Sequence, residues 1–157
     1  VAVTVAGLPD CGPIKCSRDV VIHPDKSFEE AIKSGPYDAV ILPGGLGGSE
    51  AFCASADVGA LLKEQESSGR LVAAICAAPT ALKAHSIGFG KRITSYPSFK
   101  EELSSSFKYS DDQVVTDGNL ITSRGPGTAF AFALAVGEHL VGNEKVNEVK
   151  KGLLLSH

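Results

Sequence analysis

The sequence predicts an α/β domain built on a doubly wound, mostly parallel sheet. Residues 37–42 and 71–75 are continuous apolar runs, which are typical of strands buried on both faces. Segments of helical composition follow these strands and alternate with them along the chain. Ligands of such sheets bind at the carboxyl ends of the strands, so the residues after each run are the first candidates for a site.

The remaining elements follow from local signals. Ser27 with Glu30 three residues later forms a capping-box pattern, which predicts the start of a helix. The stretch from Asp117 to Asn119 has turn chemistry and lies between two short β-branched runs, so it predicts a hairpin. We expect strands at residues 1–6, 20–22, 92–95, 114–116 and 120–123, and helices at residues 27–33, 58–66, 80–85, 128–140 and 143–151.

Length and charge exclude several classes of protein. The chain has 157 residues, which suits one domain, and we expect residues 1–157 to form it. The formal net charge is −3 and no block of Lys or Arg occurs, which argues against a dedicated nucleic-acid site. No apolar run reaches the ~20 residues that a membrane span needs. We expect a cytoplasmic protein and leave nuclear and mitochondrial pools open.

The four cysteines are Cys11, Cys16, Cys53 and Cys76. Cys11 and Cys16 lack the spacing and the second ligand pair of a zinc site, so no metal is expected. Four free thiols in a reducing compartment are favoured over a disulfide. No phosphate-binding glycine motif is present either, and we expect no cofactor.

Cys76 is the leading candidate for chemistry. It follows the strand at residues 71–75, and Pro79 fits the first turn of a helix. A strand-to-helix turn exposes a nucleophile at the sheet edge, and the unpaired N–H groups of the helix start favour a thiolate. The alternative is a small buried hydrophobic residue, a common role of free cysteine.

Other candidates surround the same sheet edge. Gly44 and Gly45 follow the strand at residues 37–42, and their backbone N–H groups could donate to an oxyanion, although a plain tight turn is the alternative. Tyr96 precedes Pro97 after a strand, but packing is the favoured interpretation of its ring. Arg18 and Arg124 are candidate anion binders, and for Arg124 a solvent-facing or ion-paired side chain is the favoured interpretation. The histidines, none of which has a spacing that indicates a triad, are His23, His85, His139 and His157.

Several longer motifs are more specific than any of these residues alone. They are VTVAGL at residues 3–8, KCSRDVVI at 15–22, LPGG at 42–45, LKEQE at 62–66, AAICAAPTAL at 73–82, IGFG at 87–90 and ITSRGPGT at 121–128. On these motifs the sequence resembles the DJ-1/PfpI superfamily. The resemblance implies a flavodoxin-like sheet with helices on both faces, and a homodimer.

The resemblance also implies roles for individual residues. Cys76 matches the redox-sensitive nucleophile, and Gly45 and Ala77 match positions whose backbone amides face its anion site. Arg18 matches an arginine near the dimer interface and the pocket, where Gly44 would also contact substrate. Cys16 matches a second, less reactive thiol that is a secondary oxidation site.

Four departures from the family pattern change these expectations. The family's opening strand and helix precede the first residue of this sequence, so we expect a longer natural protein, whose extra segment carries the acidic partner of the nucleophile. Without that strand the sheet would be split. Tyr96 stands where many members have histidine, which weakens a Cys-His pair because a phenol is a poor base near neutral pH. His23 replaces a third cysteine. Ala77 replaces the histidine of peptidase-like branches, so a peptidase is disfavoured.

Two functions follow from the resemblance. The first is an oxidative-stress-response enzyme, a deglycase of proteins and nucleotides or a glyoxalase-type hydrolase acting on methylglyoxal adducts. Its substrate would be a small dicarbonyl compound or a glycated amine. The second is a non-enzymatic redox sensor and chaperone that acts through Cys76 sulfinate and binds protein clients. Both begin with the same reactive thiol.

Overall fold

The computed structural model describes residues 1–155, and its internal contacts divide the chain into two compact units. The first unit is Val1–Tyr37 and the second is Asp38–His157. The terminal His157 lies outside the described residues. Each unit has its own strands and helices and is described by itself.

The first unit holds four short strands and one helix. Strand β1 (Ala6–Gly7) pairs in parallel with β4 (Lys26–Ser27), and β2 (Ile14–Lys15) pairs antiparallel with β3 (Val21–Ile22). Helix α1 (Phe28–Lys33) begins where the capping box predicts, because the Glu30 amide donates to Ser27 Oγ and the Ser27 amide donates to Glu30 Oε2. The predicted strand at residues 1–6 is wrong over most of its length, since only Ala6 of that segment is in a ladder.

The second unit is built on a four-stranded sheet of order β5-β6-β10-β9. Strands β5, β6 and β10 are parallel, and β9 is antiparallel to β10 through the predicted hairpin. Its strands are β5 (Ala39–Leu42), β6 (Leu71–Ile75), β7 (Arg92–Ile93), β8 (Lys108–Tyr109), β9 (Val114–Asp117) and β10 (Leu120–Ser123). Its helices are α2 (Leu46–Ala54), α3 (Ala56–Ser67), α4 (Pro79–Ala84), α5 (Lys100–Ser104), α6 (Ala129–Val141) and α7 (Asn143–Gly152).

Both faces of the central strand β6 are covered. Leu71 and Ala73 pack with Phe132 and Val136 of α6 in one apolar cluster. Successive side chains of a strand point to opposite faces, so Val72 faces the other way, and it is buried as well. Helix α3 contacts β5 and β6. The predicted doubly wound α/β architecture is confirmed.

One burial prediction is wrong for part of β5. The apolar run at residues 37–42 predicts burial on both faces, yet Ile41 keeps 48% of its surface exposed. Ile41 pairs with Ala73 and therefore shares the face that α6 covers. Helix α6 packs over β6, β9 and β10, whereas β5 is the edge strand of this sheet, so Ile41 lies outside that cover.

Candidate active site

Two neighbouring parallel strands bring Gly44 and Cys76 together. Leu42 of β5 is in register with Ala74 of β6, so the positions two residues further on are also adjacent. A Cβ placed on Gly44 would lie 2.7 Å from Cys76 Cβ and 3.4 Å from its Sγ. No side chain fits at position 44 without moving the cysteine. The structure thus joins at one sheet edge the two segments that the sequence identifies separately.

Cys76 has a backbone conformation that side chains rarely adopt. Its φ is +67°, in the left-handed region that costs a non-glycine residue about 1–3 kcal/mol. Two backbone hydrogen bonds hold it there: the Cys76 N–H donates to Ser123 O over 2.9 Å, and the Tyr96 N–H donates to Cys76 O over 2.8 Å. Such a strained turn between a strand and a helix is the geometry of a nucleophile elbow, and it leaves the thiol half-buried.

The turn around Cys76 leaves backbone donors free. Neither the Gly45 amide nor the Ala77 amide donates a hydrogen bond to another residue between positions 1 and 155. Gly45 precedes α2 and has a φ of +105°, a conformation that favours glycine. Ala77 is buried, and the next amide, that of Ala78, is already bonded to Ile75 O. Two unpaired N–H groups therefore flank the strand ends at which the thiol is placed.

Tyr96 reaches Cys76 through its backbone, not through its phenol. Its N–H bonds to the Cys76 carbonyl, and its ring lies against Gly125, where an added Cβ would be 3.5 Å from Tyr96 Cδ2. The side chain is 47% exposed. The packing interpretation fits this contact. The sequence gives no sign of Ser95, a buried residue whose hydroxyl donates to Tyr96 O and contacts the Tyr109 hydroxyl.

The Arg124 side chain contacts Asp111, so it is ion-paired, which is one of the two alternatives that the sequence favours. Its Nη1 donates to Asp111 O over 2.6 Å and lies 3.8 Å from Asp111 Oδ1. Lys100 Nζ donates to the other oxygen of the same carboxylate over 2.6 Å. The hydrogen bond from Lys100 lowers the pKa of Asp111 below its usual value, and the charges of Lys100 and Arg124 act in the same direction.

Arg18 and Cys16 belong to the first unit. Arg18 is exposed, with a φ of +60°, in a short 3₁₀ turn from Ser17 to Asp19. Cys16 is also exposed, and its N–H donates to Val20 O over 2.7 Å. The expected position of Arg18 near the pocket and the expected secondary oxidation of Cys16 stay predictions. All four cysteines are free thiols in the structure.

A cavity of about 430 Å³ begins one residue beyond Gly45 and Cys76. Its lining comprises Leu46, Ser49, Glu50, Cys53 and Ala54 from α2, Ala77 and Thr80 around the start of α4, and Phe99 and Glu102 at α5. The Cys53 thiol donates to Thr80 Oγ1 over 3.6 Å, and that hydroxyl donates to Ala77 O over 2.7 Å. Sequence reasoning misses this cavity because nothing local indicates that α2 and α5 approach each other.

Two further observations bear on metals and membranes. Among residues 1–155, no group of three or more His, Cys, Asp or Glu side chains is placed to hold a metal ion. In the same part of the chain, every helix is too short or too polar to cross a bilayer.

Comparison with known proteins identifies relatives of this chain. A sequence model described as the DJ-1/PfpI family matches residues 1–139. The Parkinson disease protein 7 homolog of Danio rerio is 51% identical over 157 residues, which cover 99% of this chain and 83% of that protein. The glutathione-independent glyoxalase DJR-1.2 of Caenorhabditis elegans is 44% identical over 146 residues, covering 92% and 76% respectively. The crystal structure of Drosophila melanogaster DJ-1beta superimposes with a TM-score of 0.94 at 57% identity, covering 98% of this chain and 83% of that one.

Proposed function

Because the chain belongs to the DJ-1/PfpI family, we propose that it is an oxidative-stress-response protein that hydrolyses methylglyoxal and its adducts through Cys76. The observation that carries the proposal is the strained elbow at Cys76, pressed against Gly44 and flanked by the free amides of Gly45 and Ala77. A relative named as a glyoxalase gives the reaction class independent support.

The proposed reaction begins with attack of the Cys76 thiolate on the aldehyde carbon of methylglyoxal. The Sγ–C bond forms, and the carbonyl electron pair moves to oxygen, where the N–H groups of Gly45 and Ala77 donate to the oxyanion. A proton leaves the former aldehyde carbon and another arrives at the neighbouring ketone carbon, which turns the hemithioacetal into a lactoyl thioester. Water attacks the thioester, the C–S bond breaks, and lactate and thiolate are released.

Glycated substrates enter the same sequence one step later. In an adduct of methylglyoxal with an amine of a protein or nucleotide, the thiolate displaces the amine from the hemiaminal carbon. The amine leaves with a proton, and the hemithioacetal that forms is the intermediate described above. Because the substrate is recognised at its reacting carbons, one site serves both the free dicarbonyl compound and its adducts.

The test is lactate formation from methylglyoxal by the wild type, by Cys76→Ala and by Cys11→Ala as a matched control, since Cys11 is exposed. We expect the wild type and Cys11→Ala to turn over and Cys76→Ala to lose activity, because only Cys76 occupies the elbow. Undiminished turnover by Cys76→Ala would contradict the mechanism.

The alternative proposal is a redox sensor and chaperone, and the position of Tyr96 favours it. Its ring lies against Gly125, and a phenol does not replace an imidazole as a proton acceptor near neutral pH. With hydrogen peroxide as oxidant, the thiolate attacks one peroxide oxygen and hydroxide leaves, which gives a sulfenate; a second peroxide gives the sulfinate. Mass spectrometry after titration with peroxide should find two added oxygens at Cys76 before any at Cys11. Equal oxidation of the two would contradict sensing.

We also propose that the functional unit is a homodimer located in the cytoplasm, with nuclear and mitochondrial pools left open. Sedimentation equilibrium tests the dimer directly, and a monomer at micromolar concentration would contradict it.

A further inference from the structure

The cavity beside Ala77 has the chemistry of a site for a cationic side chain. Its walls include the apolar residues Leu46, Ala54 and Phe99, and it carries two carboxylates, Glu50 and Glu102. No Lys, Arg or His is among its lining residues. Its volume of about 430 Å³ is within the usual range of small-ligand sites, roughly 300–1,000 Å³.

The two carboxylates are largely available to a ligand. Glu50 forms no salt bridge with another residue in the described part of the chain. Glu102 has one cation nearby, Lys83, whose Nζ lies 4.0 Å from Glu102 Oε1 and donates instead to the Glu102 backbone carbonyl over 2.9 Å. The Glu102 side chain is 51% exposed, so a second cation can reach it.

We propose that this cavity binds the side chain of an arginine or lysine close to the glycated residue of a protein or peptide substrate. Such a side chain has an apolar stem and a cationic end, which match an apolar wall and an acidic rim. Phe99 also lines the cavity, and aromatic rings attract guanidinium groups. Leu46 and Ala77, which line the cavity, directly follow Gly45 and Cys76, so the bound side chain lies next to the reacting atoms.

This inference rests on the proposed function for its substrate, but its test does not require turnover. Cys53 lines the cavity, so its labelling rate reports the local charge. Methanethiosulfonate reagents with a trimethylammonium or a sulfonate group convert the thiol to a mixed disulfide and release methanesulfinate. Trypsin separates the two relevant cysteines, because residues 34–63 carry Cys53 and residues 71–83 carry Cys76.

The measured quantity is the ratio of the cationic to the anionic labelling rate at Cys53, divided by the same ratio for 2-mercaptoethanol. We expect a ratio of about ten at low ionic strength. The ratio should fall toward one at 1 M salt, because the Debye length decreases to about 3 Å. The Glu50→Gln/Glu102→Gln double variant should lose the preference. Glu101→Gln is the matched control and should keep it, since Glu101 is exposed beside Glu102 and does not line the cavity.

A second arm identifies the occupant. A short peptide with one arginine should slow the labelling of Cys53, whereas the same peptide with glutamine, or arginine amide at equal concentration, should not. A normalised ratio near one, or an equal effect of the arginine and glutamine peptides, overturns the proposal. If the charge preference and the protection hold while Cys76→Ala and wild type produce lactate equally, the cavity assignment stands and the proposed hydrolase fails.

Discussion

Gly44→Ala is the sharpest test of the elbow geometry. The added Cβ would lie 2.7 Å from Cys76 Cβ and 3.2 Å from Ile75 O, and neither atom is the end of a flexible side chain. Gly44 does not have a positive φ, so alanine adopts its backbone conformation without strain and the cost is steric alone. Cys76 must therefore move, together with a turn that is held by hydrogen bonds from two sides.

The expected magnitude follows from this contact. One extra methyl in a closely packed site costs about 1–3 kcal/mol, and for a chain of this size each kcal/mol lowers Tm by about 2–4 °C. A shift of the thiol by about 1 Å reduces a reaction that depends on its position by about 10²-fold. We expect Gly44→Ala to lower Tm by a few degrees and to reduce lactate formation far more than that loss of stability explains.

The assay pairs calorimetry with turnover and with alkylation of Cys76 by iodoacetamide. Gly47→Ala is the matched control, because Gly47 is in α2 and an added Cβ meets no atom within 4 Å. That variant should gain about 0.4–1 kcal/mol and keep its activity. If Gly44→Ala has the wild-type Tm and turnover, the thiol is not held against Gly44 and the description of the site is wrong.

Three further predictions concern the scaffold. Gly59→Ala should lower the free energy of unfolding by about 1–2 kcal/mol, because the new Cβ would lie 2.8 Å from His85 Cε1. The His85 ring cannot move away easily, since its Nε2 is hydrogen-bonded to Phe52 O over 2.8 Å. Calorimetry of the same change in a His85→Ala background should show a gain in stability instead. Ser27→Ala should destabilise helix α1 by about 1 kcal/mol through loss of the cap, measured by hydrogen exchange of the amides of Phe28–Lys33; unchanged exchange would contradict the capping box. The pKa of the Asp111 carboxyl, measured by NMR, should lie below its ordinary value, and Lys100→Ala should reduce this depression. Because the pKa is lowered in the folded state, the stabilisation is present at neutral pH and is lost as the pH falls through the folded-state pKa.

The sequence predicts well what depends on local pattern. The capping box at Ser27, Pro79 in the first turn of α4, and the hairpin around Gly118 each form where residue type alone places them. Strand β6 is also predicted at its observed bounds, because Leu71 to Ile75 is apolar without interruption.

Contacts between segments that are distant in the sequence are not predictable from local pattern. The Ser95–Tyr109 hydroxyl pair joins residues 14 positions apart, and the contact between Cys53 and Thr80 spans 27. The exposure of Ile41 depends on how far α6 extends across the sheet, and the residues around Ile41 carry no information about that. For the candidate site, the sequence identifies Cys76 and Gly44 correctly as strand-end residues, but only the register of β5 with β6 places their atoms in contact.

Backbone hydrogen bonds hold the elbow at Cys76 in place, and this explains which substitutions the elbow tolerates. The amide of Cys76 is held by a carbonyl of β10 and its carbonyl by an amide after β7, so neither bond depends on the side chain of Ser123 or Tyr96. Tyrosine can therefore stand at position 96 without disturbing the position of the thiol, although it changes which group can accept a proton there. Position 44 has no such freedom, because its missing side chain is what makes room for Cys76. Tyr96→His should thus alter the pH dependence of turnover, because it adds a group that can accept a proton, and should leave Tm nearly unchanged, whereas any side chain at position 44 should lower both turnover and Tm.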